Sequence, residues 1–310
     1  MKASNNLCIL MPVWKDYQWV APLALELIGR YWPSHPPIYL LGLTKEEAGA
    51  MPHFELTNPE LRGNWSAMVL NGVQQAKQHF TQAYLIAEEH VPLAPCHEEH
   101  LNKTLPSLME KLSAAYISLM GWDNRRHPSK SPILDEAHYR MMHLTLPKAP
   151  RFHLHPALWR LDTLEKCCEI SLRDVSKNGS AWHFEKTSDK LQADLPEEWK
   201  QGCYQIAASR MSSQPLTTQR RISTATERWI FNKLMAVCPL IPSVKLAESY
   251  SRWVAFDNVF CNGPYPMFFS GLLQKGRLNI YLVKMLQRSS HGRELLEKIA
   301  KASNFKHVAV

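Results

Sequence analysis

Glu88, Glu89 and His90 are three polar side chains in a row, directly after the apolar run Ala83 to Ala87. If that run is a strand, the acidic pair stands at its carboxyl end, where open α/β sheets bind their ligands. Carboxylates so placed can hold Mg2+ or Mn2+, hard cations that take oxygen ligands and neutralise charge on a departing phosphate. Glu88, Glu89 and His90 are therefore the candidate metal ligands, although an acidic pair after a strand is also what a solvated turn looks like. Further on, Lys275 and Arg277 flank Gly276, a basic turn able to grip a diphosphate or simply to expose charge. His97-Glu98-Glu99-His100 has the letters of a metalloprotease helix, but its histidines are three apart instead of four, so the pair of ligands on one face is missing. Glu98 and Glu99 are better read as first-turn carboxylates of the following helix, favoured by its dipole.

The elements that must position these groups alternate. Leu7 to Val13 is a short continuous apolar run, the pattern of a buried strand. Val20, Leu23, Ala24, Leu27, Ile28 and Tyr31 then recur at helical spacing until Pro33. Ile38 to Leu43 predicts a second strand, Trp65 to Phe80 a second helical stripe and Ala83 to Ala87 a third strand. Parallel neighbours need crossover helices, so this order predicts a mostly parallel sheet flanked by helices. Leu101 to Leu112 predicts another helix and Ala115 to Met120 another strand. Trp122 to Glu136 is basic and aperiodic, hence a loop. Tyr139 to Leu146 and Phe152 to His155 are candidate strands, followed by a helix near Leu158 to Ile170. Lys177-Asn178-Gly179-Ser180 is a turn signal. No Gly-rich dinucleotide turn, P-loop or nucleophile elbow occurs, which removes dehydrogenase, ATPase and α/β-hydrolase readings.

Several segments come in an order that carries a family likeness. They are Leu10-Met11-Pro12-Val13-Trp14-Lys15-Asp16-Tyr17 with Tyr31-Trp32-Pro33; Trp65-Ser66 leading to Tyr84-Leu85-Ile86-Ala87-Glu88-Glu89; His155-Pro156-Ala157-Leu158-Trp159-Arg160; Trp182-His183-Phe184-Glu185; and Phe268-Phe269-Ser270-Gly271 through Lys275-Gly276-Arg277. Together they resemble the bacterial GT-A glycosyltransferases of surface-polysaccharide gene clusters, those that build capsule and lipopolysaccharide. Glu88 and Glu89 stand where that family usually has aspartates, and His90 where an aromatic residue is common. Ala181 and His183 replace a commoner proline and acidic residue. The resemblance implies a nucleotide-sugar donor bound by Pro12, Val13, Trp14, Asp16, Glu88, Lys275 and Arg277, and a saccharide or lipid-linked saccharide acceptor met by Trp159, Trp182 and His183. Glu89 and Glu185 are the implied catalytic groups, Glu185 as the base that deprotonates an acceptor hydroxyl if the reaction inverts the anomeric centre. The same residues also fit a plain strand-to-helix loop around Asp16, and a short strand with Trp182 and Phe184 in the core. Dependence on Mg2+ or Mn2+ and metal independence both remain open on these letters.

Composition sets the frame. The 310 residues, 45% hydrophobic and 21% charged, suffice for one large domain with an appendage. Seven cysteines without paired two-residue spacing point to a reducing cytosol. Leu7 to Val13 is followed by Trp14-Lys15-Asp16 and no cleavage site, and no run reaches the length of a membrane span, so a soluble or peripheral protein is expected. The net charge of +8 is uneven: residues 1–120 carry 8 Lys and Arg against 11 Asp and Glu, and the remainder 28 against 17. The basic part favours anionic partners. Arg220, Arg221, Arg228, Trp229, Lys233 and Trp253 could rest on an anionic membrane or pack in a core. No nucleic-acid module is recognisable, so nucleic acid is not an expected partner.

These readings define a GT-A-like, Rossmann-type α/β fold over residues 1–211, with a nucleotide-sugar half at 1–120 and an acceptor half at 121–211. A helical C-terminal appendage, 212–310, packs on it. The expected protein is a cytoplasmic glycosyltransferase, at the inner face of the cytoplasmic membrane if the acceptor is lipid-linked. The alternative is a non-catalytic sugar- or nucleotide-binding protein that retains the fold.

Overall fold

The computed structural model describes residues 6–92, 95–119, 133–135, 139–143, 152, 154–173, 179–186, 194–197, 199, 202–208, 264–267, 273–274, 277–278, 293–294 and 296–298. Strand β1 (Leu7–Pro12) is buried from Cys8 onward, as a strand covered on both faces must be. A 3-10 turn over Lys15–Val20 leads into α1 (Ala21–Tyr31), which buries Leu23, Ala24, Leu27 and Ile28 along one stripe. Strand β2 (Ile38–Leu41) is followed by α2 (Lys45–Ala48), a single turn begun by a capping box between Thr44 and Glu47. Helix α3 (Trp65–Ala76) starts at Asn64, whose side chain accepts the Ala67 N–H at 3.1 Å. It leads to β3 (Gln82–Leu85), then a π-turn over His100–Thr104, α4 (Leu105–Lys111) and β4 (Tyr116–Ser118). Beyond lie β5 (Leu134–Asp135), β6 (Tyr139–His143), β7 (Ala157–Arg160), α5 (Leu161–Arg173), α6 (Ala181–Lys186), β8 (Cys203–Ala208), and the short pair β9 (Leu273–Gln274) and β10 (Arg277–Leu278).

Among the described residues, eight strands form one sheet in the order β2-β1-β3-β7-β4-β8-β6-β5. β1 is parallel to β2 and β3, and β4 to β8, whereas β7 runs against β3 and β4, and β6 against β8 and β5. Six strands therefore point one way and two the other, a mostly parallel α/β sheet compatible with a Rossmann-like fold. Successive side chains of β1 face opposite sides. Ile9 and Met11 join Ala24, Leu27, Ile28, Leu105 and Met109 in one layer; Cys8 and Leu10 join Met68, Val69, Val73, Leu164 and Cys167 in the other. Helices α1 and α4 thus cover one face, and α3 and α5 the other.

Three sequence expectations change. The strand near residue 155 is Ala157–Arg160, and the helix begins only at Leu161. Three apolar residues in a row suit either state, and pairing with β3 and β4 on both sides decides for the strand. The Trp182-His183-Phe184-Glu185 segment is helical, not a strand: Ser180 Oγ accepts the His183 N–H at 3.2 Å and opens α6. Leu134–Asp135 is a strand inside the stretch expected as a loop.

Part of the C-terminal hundred residues belongs to the core. Tyr265, Met267 and Leu296 are buried in the same cluster as α1, and Lys298 pairs with Glu26. Arg220, Arg221, Arg228, Trp229, Lys233 and Trp253 lie outside the described residues. Among the described residues, no helix is long and apolar enough to cross a membrane. Cys8, Cys96, Cys167, Cys168 and Cys203 are free thiols.

Candidate active site

The chain leaves β1 for β2 on one side and returns as β3 on the other, so the exits of β1 and β3 form a topological switch point. A crevice at the carboxyl ends of the strands opens at such a point. Val13 N–H donates to Leu41 O at 3.0 Å, and Ile86 N–H to Leu10 O at 3.0 Å, which carries the parallel ladder to the edge. Beyond it, His90 N–H donates to Ala87 O at 2.9 Å and closes a tight turn with Glu88 and Glu89 at its corners. Glu88 folds back towards the end of β1, where its Oε1 accepts the Trp14 N–H at 3.2 Å. Gly42 (φ 86) lets the end of β2 press on the same corner: a Cβ there would lie 3.1 Å from Val13 O and 2.1 Å from Met68 Sδ.

Burial governs the charges. Glu88 is 4% exposed, and loss of water pushes its carboxyl up to about 8 against the pull of backbone N–H groups, Trp14 among them. Burial raises Glu89 to about 7. Both carboxyls therefore exchange protons close to neutral pH, the range suited to acid–base work. Burial holds His90 down at about 4, so its ring is neutral. Its Nδ1 is buried without a hydrogen-bond partner, and the ring packs on His155 with centroids 5.1 Å apart. The Tyr17 phenol is raised by burial and then by the charges of Glu89, Glu88 and Asp16.

Glu185 approaches from α6. Its Oε1 accepts the Leu154 N–H at 2.9 Å, and burial raises the carboxyl while that bond lowers it. Leu154 precedes His155, whose ring meets His90, so one short segment lies between Glu185 and the acidic turn. The cause is the antiparallel ladder: Leu85 pairs with Ala157, so the chain entering β7 passes the exit of β3. Phe184 docks α6 against Trp65, with ring centroids 5.1 Å apart.

The other expected residues are placed unevenly. Pro12 and Val13 are buried, Trp14 is half-buried and Asp16 is exposed. Asp16 is no cap; it sits in the first turn of the 3-10 segment that Trp14 precedes. Trp159 has no exposed surface, being enclosed by Tyr116 at 4.5 Å and Phe152 at 5.0 Å between ring centroids. A residue at the centre of the sheet packs in the core and offers no platform to an acceptor. His183 is buried on α6; Trp182 lies on the same helix, but its side chain is outside the described residues. Arg277 begins β10 opposite Gln274, which leaves Lys275 and Gly276 as the connection between the two strands, also outside the described residues. Sequence reasoning gave no role to Tyr17, His155 or Tyr265. Tyr17 and His155 lie within the quoted motifs, whereas nothing in the sequence marks Tyr265.

A resident Mg2+ or Mn2+ needs ligands that converge on one point. Among the described residues no three His, Cys, Asp or Glu side chains form such a group. One Glu88 oxygen faces the Trp14 N–H, and the His90 ring faces His155. Burial favours the protonated form of both carboxyls of the turn, more strongly for Glu88 than for Glu89. No protein-family model matches the chain, and no curated protein matches it.

Proposed function

We propose that the chain is a nucleotide-sugar-dependent glycosyltransferase of GT-A-like fold, which moves a sugar to a saccharide or lipid-linked saccharide acceptor in bacterial surface-glycan assembly. The observation that carries this reading is the acidic turn at the switch point, with Glu88 tied to Trp14 across the exits of β1 and β3. The nucleotide lies against Trp14 and Asp16, with Pro12 and Val13 packed beneath them, and its diphosphate reaches the turn, with Lys275 and Arg277 as its cationic partners. Carboxyls kept protonated by burial donate hydrogen bonds to phosphate oxygens where ionised ones would repel them.

In the transfer itself, the acceptor oxygen attacks the anomeric carbon as Glu185 takes its proton. The bond from that carbon to the diphosphate oxygen breaks, and the nucleoside diphosphate leaves with the electron pair. The Leu154 N–H fixes one oxygen of Glu185 and with it the plane of the carboxylate. Glu89, at the outer corner of the turn, meets the charge that grows on the leaving phosphate. The Trp182 and His183 turn of α6 lines the acceptor side. The work takes place in the cytoplasm, and at the inner membrane face if the acceptor carries a lipid.

The inward bond of Glu88 also suits a binding protein that keeps the crevice and has no chemistry. Nucleotide release from UDP-, GDP-, CDP- and CMP-linked sugars, with and without Mn2+, separates the two readings. Release with one donor supports the transferase; a melting-temperature rise with a donor but no release supports the binding protein.

A further inference from the structure

We propose that Tyr265 is a positioning residue for the acidic turn, so that the C-terminal part of the chain is required for donor chemistry without supplying a reacting group. This rests on the transferase reading above. Glu88 and Glu89 occupy the corners of a turn whose fourth residue is His90, and the direction of both carboxyls depends on where His90 is held. The Tyr265 hydroxyl donates to His90 O at 2.8 Å. Both partners are buried, with Tyr265 1% exposed and His90 7%. A buried carbonyl deprived of its donor cannot turn to water without moving the backbone.

The bond is part of a strap. Pro92 forms an antiparallel bridge with Met267, His97 N–H donates to Pro264 O at 2.9 Å, and the Tyr265 ring sits edge-on to Trp32 with centroids 6.2 Å apart. Residues 264–267 thus clamp the segment that leaves the turn, 175 residues away in sequence from the carbonyl they hold. The clamp touches the chain just after the carboxylates and none of the groups assigned to donor or acceptor. Positioning, and not binding, is therefore its contribution.

The test compares Tyr265→Phe with Tyr84→Phe in the full chain. Tyr84 is a matched control: its buried hydroxyl donates to Leu101 O at 2.7 Å, in the π-turn and away from the acidic turn. Tyr265→Phe lowers kcat for nucleotide release by about tenfold or more with donor KM within about threefold, while Tyr84→Phe stays within about twofold of wild type in kcat. Hydrogen exchange read on the peptide spanning residues 86–92 gives a second measure, independent of turnover. Protection there falls about tenfold in Tyr265→Phe and is kept in Tyr84→Phe. An unchanged kcat in Tyr265→Phe, an equal loss in both variants, or unchanged protection of 86–92 overturns the positioning role. A wild-type protein that releases nucleotide from no donor defeats the transferase reading instead, and exchange alone then decides whether the strap holds the turn.

Discussion

Trp14 and Glu88 meet across the exits of two neighbouring parallel strands: the Trp14 N–H donates to Glu88 Oε1 at 3.2 Å, although the two residues are 74 apart in sequence. The bond fixes the inner corner of the acidic turn against the end of β1 and leaves Glu89 at the outer corner. It also draws a carboxyl into a place where ionisation is costly, and this cost sets the chain's response to pH.

Stability should fall as pH rises through the range that ends near 8. In the folded chain Glu88 and Glu89 are raised from 4.5 to about 8 and about 7, and His90 is lowered from 6.5 to about 4. Below 4.5 the glutamates are protonated folded and unfolded alike. As pH climbs from 4.5 towards 8, the unfolded chain releases those protons first, and stability is lost. His90 acts in the opposite sense, costing stability as pH falls from 6.5 towards 4. Above 6.5 only the glutamates remain, so the melting temperature declines between pH 6.5 and 8. Glu88→Gln keeps an acceptor for the Trp14 N–H, and its advantage over wild type grows between pH 5 and 8, to on the order of 3 kcal/mol. A pH-independent difference in melting temperature contradicts this.

Glu185→Gln should separate binding from transfer. The amide oxygen still accepts the Leu154 N–H, so α6 stays in place and the donor still raises the melting temperature. Without a base, transfer to acceptor falls by about 100-fold or more. Transfer at the wild-type rate removes Glu185 from the chemistry.

Trp159 should behave as core. Trp159→Ala costs about 3–5 kcal/mol in urea unfolding, as expected for a ring enclosed on every side. Trp159→Phe is milder and leaves acceptor KM unchanged; a large rise in KM without a loss of stability restores the acceptor role.

Gly179→Ala tests the turn that seats α3. Gly179 has φ 36, and a Cβ would fall 2.0 Å from Asn64 Oδ1, the atom that caps the helix. Displacing the cap and the Ser66 N–H bond to Gly179 O costs about 1–3 kcal/mol, read as a lower urea midpoint.

Legibility in the sequence tracks the range of the forces involved. β1, β2 and β3 were legible because each is a short apolar run between polar residues, and α1 and α3 because their stripes repeat over several turns. Local order also placed Glu88 and Glu89, since they come within a few residues of the last paired position of β3. β7 was not legible: Ala157 to Arg160 is held by strands on both sides, and its three apolar letters merge with the helix behind them. Trp182 and Phe184 alternate as strand residues would, yet Ser180 capping and the packing of Phe184 on Trp65 make the segment helical. The contacts that complete the site, Trp14 with Glu88, His90 with His155 and Tyr265 with His90 O, are all distant in sequence and leave no local pattern.

The central claim is tested most directly by nucleotide release from wild type and Glu89→Ala, over UDP-, GDP-, CDP- and CMP-linked sugars with a saccharide acceptor mixture. The account predicts turnover of at least one donor by wild type and a loss of about 100-fold or more in Glu89→Ala, with the melting temperature within about 3 °C. No release from any donor by wild type, or full release by Glu89→Ala, contradicts it.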